Sequence, residues 1–345
     1  MVVTLGIVGC GRIVEEGHAP ALRQLGDHSR VVALADPSQE RRDVIAASLG
    51  TPNARGYASW QQMLAEEQLD AVLIALPHFL HEPAIADAAT AGVDVISEKP
   101  LAATLEEADR IGQAVRRAGV RLAVVHNYTY NPAVTAALDA IHQGRIGTTF
   151  FIRSEGLGGS HYRGRDPNAP DWRTQRAMGG GGALTDNGYH NMYVSEAEAQ
   201  SPVVRVYASV GRYVRQQDVD DHAAALLTHA NGATTSVQIS WAVNGGGLPV
   251  HEVHGTAGSI RYGQGGVPVE IHENSVGEWR PLLTAEEGQG NTFVGALRDI
   301  FTAWAEGRDA PTGFREARHN LAILRAAYLS SERGEAVHLS ELEPD

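Results

Sequence analysis

Along the first third of the chain, short apolar runs alternate with amphipathic stretches. The runs cover residues 2–8, 31–35, 71–76, 93–97 and 121–125. Strands spaced in this way by helices predict strand–helix–strand units and a parallel sheet. One helix is spelled out by its ends. Thr104 can cap it and Glu107, three residues on, completes a capping box. Leu105, Ala108, Ile111 and Val115 fall on one face, and Gly119 suits the position just past the last turn. The pattern changes after about Asn127. Residues 148–155, 203–213, 223–230, 234–243, 251–254 and 259–262 read as strands with few helices between them, so a largely antiparallel sheet is expected. Residues 291–307 and 314–334 read as closing helices, and the glycine-rich pieces at 179–182 and 245–247 as loops.

Composition narrows the class. The chain has 345 residues, 43% hydrophobic and 20% charged, with a formal net charge of -13. Two domains suit that length. The acidic balance argues against a nucleic-acid partner, because phosphate binding needs clustered Lys and Arg. Cys10 is the only cysteine, so no intrachain disulfide forms, which fits a reducing cytoplasm. The start, MVVTLGIVGCG, reads as a strand rather than a signal peptide. The longest apolar run, AVLIALP at 71–77, is far too short to span a membrane.

The first candidate chemistry follows the first strand. Gly9-Cys10-Gly11 precedes a helix, where Gly9 permits a tight turn and Gly11 lets a pyrophosphate approach the backbone. The third small residue of that fingerprint falls on Val14, so the signal is incomplete, and an ordinary strand-to-helix turn reads the same way. Asp36, ending the second strand in VVALADPS, is placed to bond ribose hydroxyls. Beside Pro37 it is also a plain turn former. Taken together, these features point to a dinucleotide-binding Rossmann domain over residues 1–126. An α+β domain with a mostly antiparallel sheet follows over 127–345. Cys10 reads as a small turn residue.

Three further segments, ALPHFLH (75–81), SEKPL (97–101) and GGGGALTDNGYH (179–190), join the start GIVGCGRI and the late GTAGSI. With them the chain resembles the glucose–fructose oxidoreductase / inositol dehydrogenase family, often written Gfo/Idh/MocA, over nearly its whole length. The resemblance implies a nicotinamide cofactor held between the two domains. It also implies a small polyhydroxylated substrate, and a homodimer or homotetramer formed through the open sheet. Carried over by position, it implies Lys99, Asp186 and His190 as catalytic residues. Gly9, Gly11, Asp36, Pro77, His81, Glu98 and Asn127 match cofactor-contacting positions, with Arg12, Ile13 and Leu76 beside them and Lys99 shared. Trp172 and Arg173 match a loop that reaches cofactor or substrate. Tyr128, His161, Arg165 and Asn187 complete the candidate substrate set with Lys99, Trp172, Asp186 and His190. Three positions depart from the pattern: Val14; His78 where Asn is common; and Tyr193 where an Asp often follows the histidine.

The residue types suit such chemistry. Hydride transfer needs a proton exchanged at the substrate oxygen, and a histidine titrates near neutrality. Asp186, four residues before His190, is expected on the same helix face, orienting the imidazole and raising its pKa. A capping Asp and a packed His are the bland reading of the same pair. Lys99 is expected to stabilise a developing alkoxide; an exposed lysine is the alternative. NAD is expected over NADP, because Asp36 repels a 2′-phosphate. Arg41 and Arg42 could reach such a phosphate but are placed on a solvent-facing helix. The fifteen histidines show no ligand spacing, and His251 and His254 should point to opposite faces of a strand, so no metal is expected. Two other functions share the pattern: a hydrolase or lyase with transient in-place NAD redox, and a non-catalytic sensor.

Overall fold

The computed structural model describes residues 2–164, 171–245, 250–263, 269–283 and 290–343. In the first half, β1 (Val3–Val8), β2 (Ser29–Ala35), β3 (Arg55–Tyr57), β4 (Ala71–Ile74), β5 (Asp94–Ser97) and β6 (Leu122–Val124) form one sheet. Its order is β3-β2-β1-β4-β5-β6 and every pairing is parallel. β4 is buried at every position, as a strand covered by helices on both faces must be. The chain reverses its winding between β1 and β4, and the crevice beyond their carboxyl ends is where such sheets bind ligands. The expected Leu105–Ala118 helix is present with its Thr104–Glu107 capping box, and Gly119 stops it in the left-handed region. β3 was not expected: it is three residues long and buries only Tyr57.

The second sheet contains β7 (Thr149–Leu157), β8 (Val203–Gly211), β9 (His222–His229), β10 (Thr234–Ser240), β11 (Val250–Gly255), β12 (Gly258–Gly263), β13 (Val269–Glu273), β14 (Trp279–Leu283) and β15 (Val337–His338). Its order is β14-β13-β12-β11-β7-β10-β9-β8-β15. The β7–β10 pair is parallel and the other pairs are antiparallel. One face packs helices: Ser330 and Ser331, on the Phe314–Arg333 helix, accept the backbone N–H groups of Ala208 and Val210 on β8. The other face carries exposed Tyr207 and Leu226, paired across β8 and β9. The Thr292–Ala305 helix leaves this sheet: Phe293, Leu297 and Ile300 share a buried cluster with Leu5, Ile7 and Val14 of the first domain. Among the described residues no helix is long and apolar enough to cross a membrane.

Candidate active site

A cleft of about 490 Å³ lies at the ends of β1 and β4 and is also lined by Trp172, Arg173, Asp186 and His190 from the second half of the chain. Gly9, Gly11, Arg12, Ile13 and Asp36 line one end, and Leu76, Pro77, Glu98 and Asn127 continue it. Gly9 has φ +91°, and a Cβ there would lie 2.4 Å from the Ala75 carbonyl oxygen, so the tight turn requires glycine. A Cβ on Gly11 would meet nothing within 4 Å: this backbone faces open space. Val14 is fully buried in the core, so the missing third small residue takes no room from the cleft.

Asp36 braces this turn. Its carboxylate accepts the N–H groups of Cys10 and Ser38, both at 2.8 Å. The two arginines do not lie on a solvent-facing helix surface as expected; they fold back onto the turn. Arg41 donates to the Cys10 carbonyl (2.9 Å) and to Glu15 (2.8 Å), and Arg42 donates to the Asp36 carbonyl. Burial, with Asp36 beside it, pushes the Cys10 thiol up to about 12, which removes it as a nucleophile.

The deeper half of the cleft holds Lys99, Tyr128, Trp172, Arg173, Asp186, Asn187 and His190. Lys99 follows β5 and forms a cis bond to Pro100. Its ammonium donates to the Asp186 carboxylate (3.0 Å) and to the Asp186 carbonyl (2.9 Å). Arg173 Nε stands 3.3 Å from the other carboxylate oxygen, and its guanidinium lies 4.1 Å over the Trp172 ring. Burial alone would raise the Asp186 pKa; Lys99, then Arg173, hold it well below the carboxylate range. Glu98 is likewise buried yet held below its usual value by His18, which donates at 2.7 Å, and by Lys99.

The expected Asp186–His190 pair does not form. Asp186 lies in a π-helical turn over Leu184–Gly188, and among the described residues no hydrogen bond joins it to His190, although both line the cleft. Asp186 serves Lys99 and Arg173, while His190, on the Tyr189–Ala199 helix, lies flat on the Tyr128 ring at 3.8 Å. His190 Nδ1 is 2.8 Å from the Tyr193 hydroxyl. The expected rise in its pKa is also reversed. Burial, then the Lys99 charge, push it well below the usual histidine value, and the pull of Asp186 does not offset them.

The glycine-rich loop before this helix is pinned by Asp220, which accepts the N–H groups of Gly182 and Leu184, both at 2.8 Å. A Cβ on Gly182 would lie 2.0 Å from the Asp220 carbonyl oxygen. No sequence motif marks Asp220. Tyr162, in the polar loop after β7, lines the cleft: its ring lies 4.1 Å beneath the Arg12 guanidinium, and its hydroxyl donates to Glu16 at 2.9 Å.

Two expected contact residues lie elsewhere. His81 is fully buried away from the cleft, and its ring nitrogens meet the Pro100 and Leu76 carbonyls, both at 2.9 Å. It braces the two loops that carry Leu76 and Lys99. His161 is not in the cleft lining; it sits between Asp171 and Arg215 against Trp241. Arg165 lies outside the described residues. His78 lines the cleft, bonds the Gly179 carbonyl at 2.8 Å and packs edge-on against Trp172. His251 reaches the Glu198 carboxylate at 2.6 Å, and His254 stacks on Phe151 on the opposite face of the sheet.

Comparison with known proteins gives this cleft its setting. Residues 3–126 match the oxidoreductase family with an NAD-binding Rossmann fold, and residues 134–261 match the GFO/IDH/MocA C-terminal domain. The chain belongs to the GFO/IDH/MocA family of oxidoreductases. It is an enzyme of the dehydrogenase and reductase class. The D-apiose dehydrogenase of Paraburkholderia graminis is 30% identical, over 98% of this chain and 90% of that protein. A solved levoglucosan dehydrogenase complex with NADH and levoglucosan is 25% identical with a TM-score of 0.85, covering 98% of this chain and 100% of that one. The WlbA dehydrogenase of Bordetella pertussis, solved with NADH and UDP-GlcNAcA, is 27% identical with a TM-score of 0.85, covering 100% and 99%.

Proposed function

We propose that this protein is an NAD-dependent dehydrogenase or reductase acting at a hydroxyl-bearing carbon of a sugar, a cyclitol or a derivative. The observation that carries this reading is the setting of Lys99. Two of its three N–H donors are held by Asp186, which aims the ammonium and leaves one donor for an oxygen in the cleft. His190 lines the same cleft, so two groups can hydrogen-bond one substrate oxygen. Tyr128 and Trp172 offer flat apolar surface to a sugar ring, and Asn187 a polar edge.

A nicotinamide dinucleotide, when bound, supplies the redox partner as a hydride acceptor or donor. The turn at Gly9 and Gly11 fits its pyrophosphate, with open space before Gly11, and Asp36 fits the ribose diol. NAD is favoured over NADP because the Asp36 charge opposes a 2′-phosphate while Arg41 and Arg42 are engaged with the turn. Assembly as a homodimer or homotetramer through the bare sheet face is part of the same reading. So is a reducing cytoplasm for the one buried cysteine, which cell fractionation checks.

A panel of sugars, cyclitols and their acids, offered with NAD and with NADP and followed at the nicotinamide absorbance, tests the reading. Substrate-dependent absorbance change, faster with NAD, is expected. Lys99→Ala should keep NADH binding and lose about 10²–10³ in turnover. Product formation with no net absorbance change would sink the reading in favour of in-place redox, and equal or better efficiency with NADP would sink the cofactor assignment.

A further inference from the structure

We infer that Tyr193 fixes the tautomer of His190: its hydroxyl donates to Nδ1, so the ring's single proton sits on Nε2 and faces the cleft as a hydrogen-bond donor. The argument is one of donors and acceptors. Tyr193 is 7% exposed, and its oxygen has two neighbours, the Tyr128 backbone N–H at 3.0 Å and His190 Nδ1 at 2.8 Å. A backbone N–H can only donate, so the Tyr128 contact takes one lone pair of the phenol oxygen. The phenol proton then needs an acceptor. Among the described residues, Nδ1 is the one within reach. The reverse arrangement, Nδ1–H donating to the phenol, would make that oxygen accept twice and strand its own proton in a buried site, which proteins avoid.

Packing holds both rings in this relation. Tyr193 lies parallel to His126 at 4.2 Å, and His126 is itself tied to the Tyr189 hydroxyl at 2.9 Å. His190 lies parallel to Tyr128 at 3.8 Å. Neither ring can tilt away without breaking a stack. His190 Nε2 has no partner among the described residues, and it is not among the buried unpartnered atoms, so it reaches the open cleft. An imidazolium would need a proton on Nδ1, aimed at a phenol already committed as donor. The Lys99 ammonium beside it opposes the same cation.

The consequence rests on the proposed substrate class: in the resting enzyme His190 presents a neutral Nε2–H donor to the substrate oxygen. Tyr193 is then a positioning residue, acting through the ring it holds.

Two-bond ¹H–¹⁵N spectra of the substrate-free protein, ¹⁵N-labelled at histidine, decide the tautomer, with His190 signals identified by their loss in His190→Asn. A neutral Nε2–H ring at pH 7.5 is expected, and the Nδ1–H form or an imidazolium would overturn the inference. Tyr193→Phe, which keeps the stack on His126, should move the His190 shifts towards a tautomer average. It should lower kcat about 10-fold with substrate KM within about twofold. Unchanged shifts and unchanged kcat would also overturn it. If no sugar is turned over, the substrate reading fails while the spectrum still answers for Tyr193; if Tyr193→Phe does not fold, the wild-type spectrum alone answers.

Discussion

Replacing Asp186 by Asn removes one charge from the cleft and keeps the shape. The carboxylate is 10% exposed, with Lys99 Nζ at 3.0 Å and Arg173 Nε at 3.3 Å. At an effective dielectric of about 20, each attraction is about 5 kcal/mol before the cost of burying the charge is set against it. Breaking a buried pair by removing one partner costs about 3–5 kcal/mol net, because the other charge is left uncompensated. In this cleft two cations remain, facing each other across a neutral amide. Asp186→Asn should therefore lower Tm by about 5–10 °C and turnover by about 10²–10³, since the Lys99 ammonium is no longer aimed. Thermal melts and saturating-substrate kinetics measure the two effects. A double-mutant cycle sharpens the test: Lys99→Ala in the Asp186→Asn background should restore part of the lost stability, because it removes one of the two uncompensated cations. Stability losses that add within about 0.5 kcal/mol would show that the two residues are not coupled, and would refute the aiming of Lys99 by Asp186.

Three further outcomes are expected. His78, His126 and His190 are buried and held below the ordinary histidine value, His126 at about 3. Their stabilisation is full above about pH 6.5 and is lost as pH falls, His126 alone contributing a loss of about 2 kcal/mol by pH 5; urea midpoints that do not drop between pH 7 and 5, or a slope that His126→Gln leaves unchanged, would contradict this. Gly9→Ala places a Cβ 2.4 Å from the Ala75 carbonyl oxygen at φ +91°, so NADH affinity by fluorescence titration should fall at least about 10-fold, with about 1–3 kcal/mol of strain; an unchanged Kd would remove the turn from the cofactor site. Tyr207 and Leu226, 51% and 47% exposed and paired across two strands, should bury in an oligomer; Tyr207→Glu with Leu226→Glu should yield a smaller species by light scattering, and a monomeric wild type would end the proposal.

Much of the architecture is legible in the sequence because its strands are long or fully apolar. β4 and the Leu105–Ala118 helix announce themselves through unbroken burial and a complete set of caps. β3 and β15 escape notice because three and two residues carry no period, and β14 because three of its five side chains are exposed. The site is half legible. Motif position locates Lys99, Asp186 and His190 in one cleft, but spacing misassigns their partners, because Lys99 and Arg173 take the Asp186 carboxylate and Tyr193 takes His190 Nδ1. His81 and His161 look like ligand contacts in the sequence; they bond carbonyls and a carboxylate behind the cleft wall. Asp220 leaves no local trace, since what it holds lies 38 residues earlier.

The centre of the second sheet also sets an order of events during synthesis. β7 lies between β10 and β11, so both of its neighbours are made after it. Thr234, where β10 begins, follows the end of β7 at Leu157 by 77 residues (234 less 157). Ribosomes add about 5–20 residues per second, so β7 waits roughly 4–15 s with both hydrogen-bonding edges open. Nascent chains halted before Thr234 should present that strand to chaperones or to one another, and those carried past Gly255 should not.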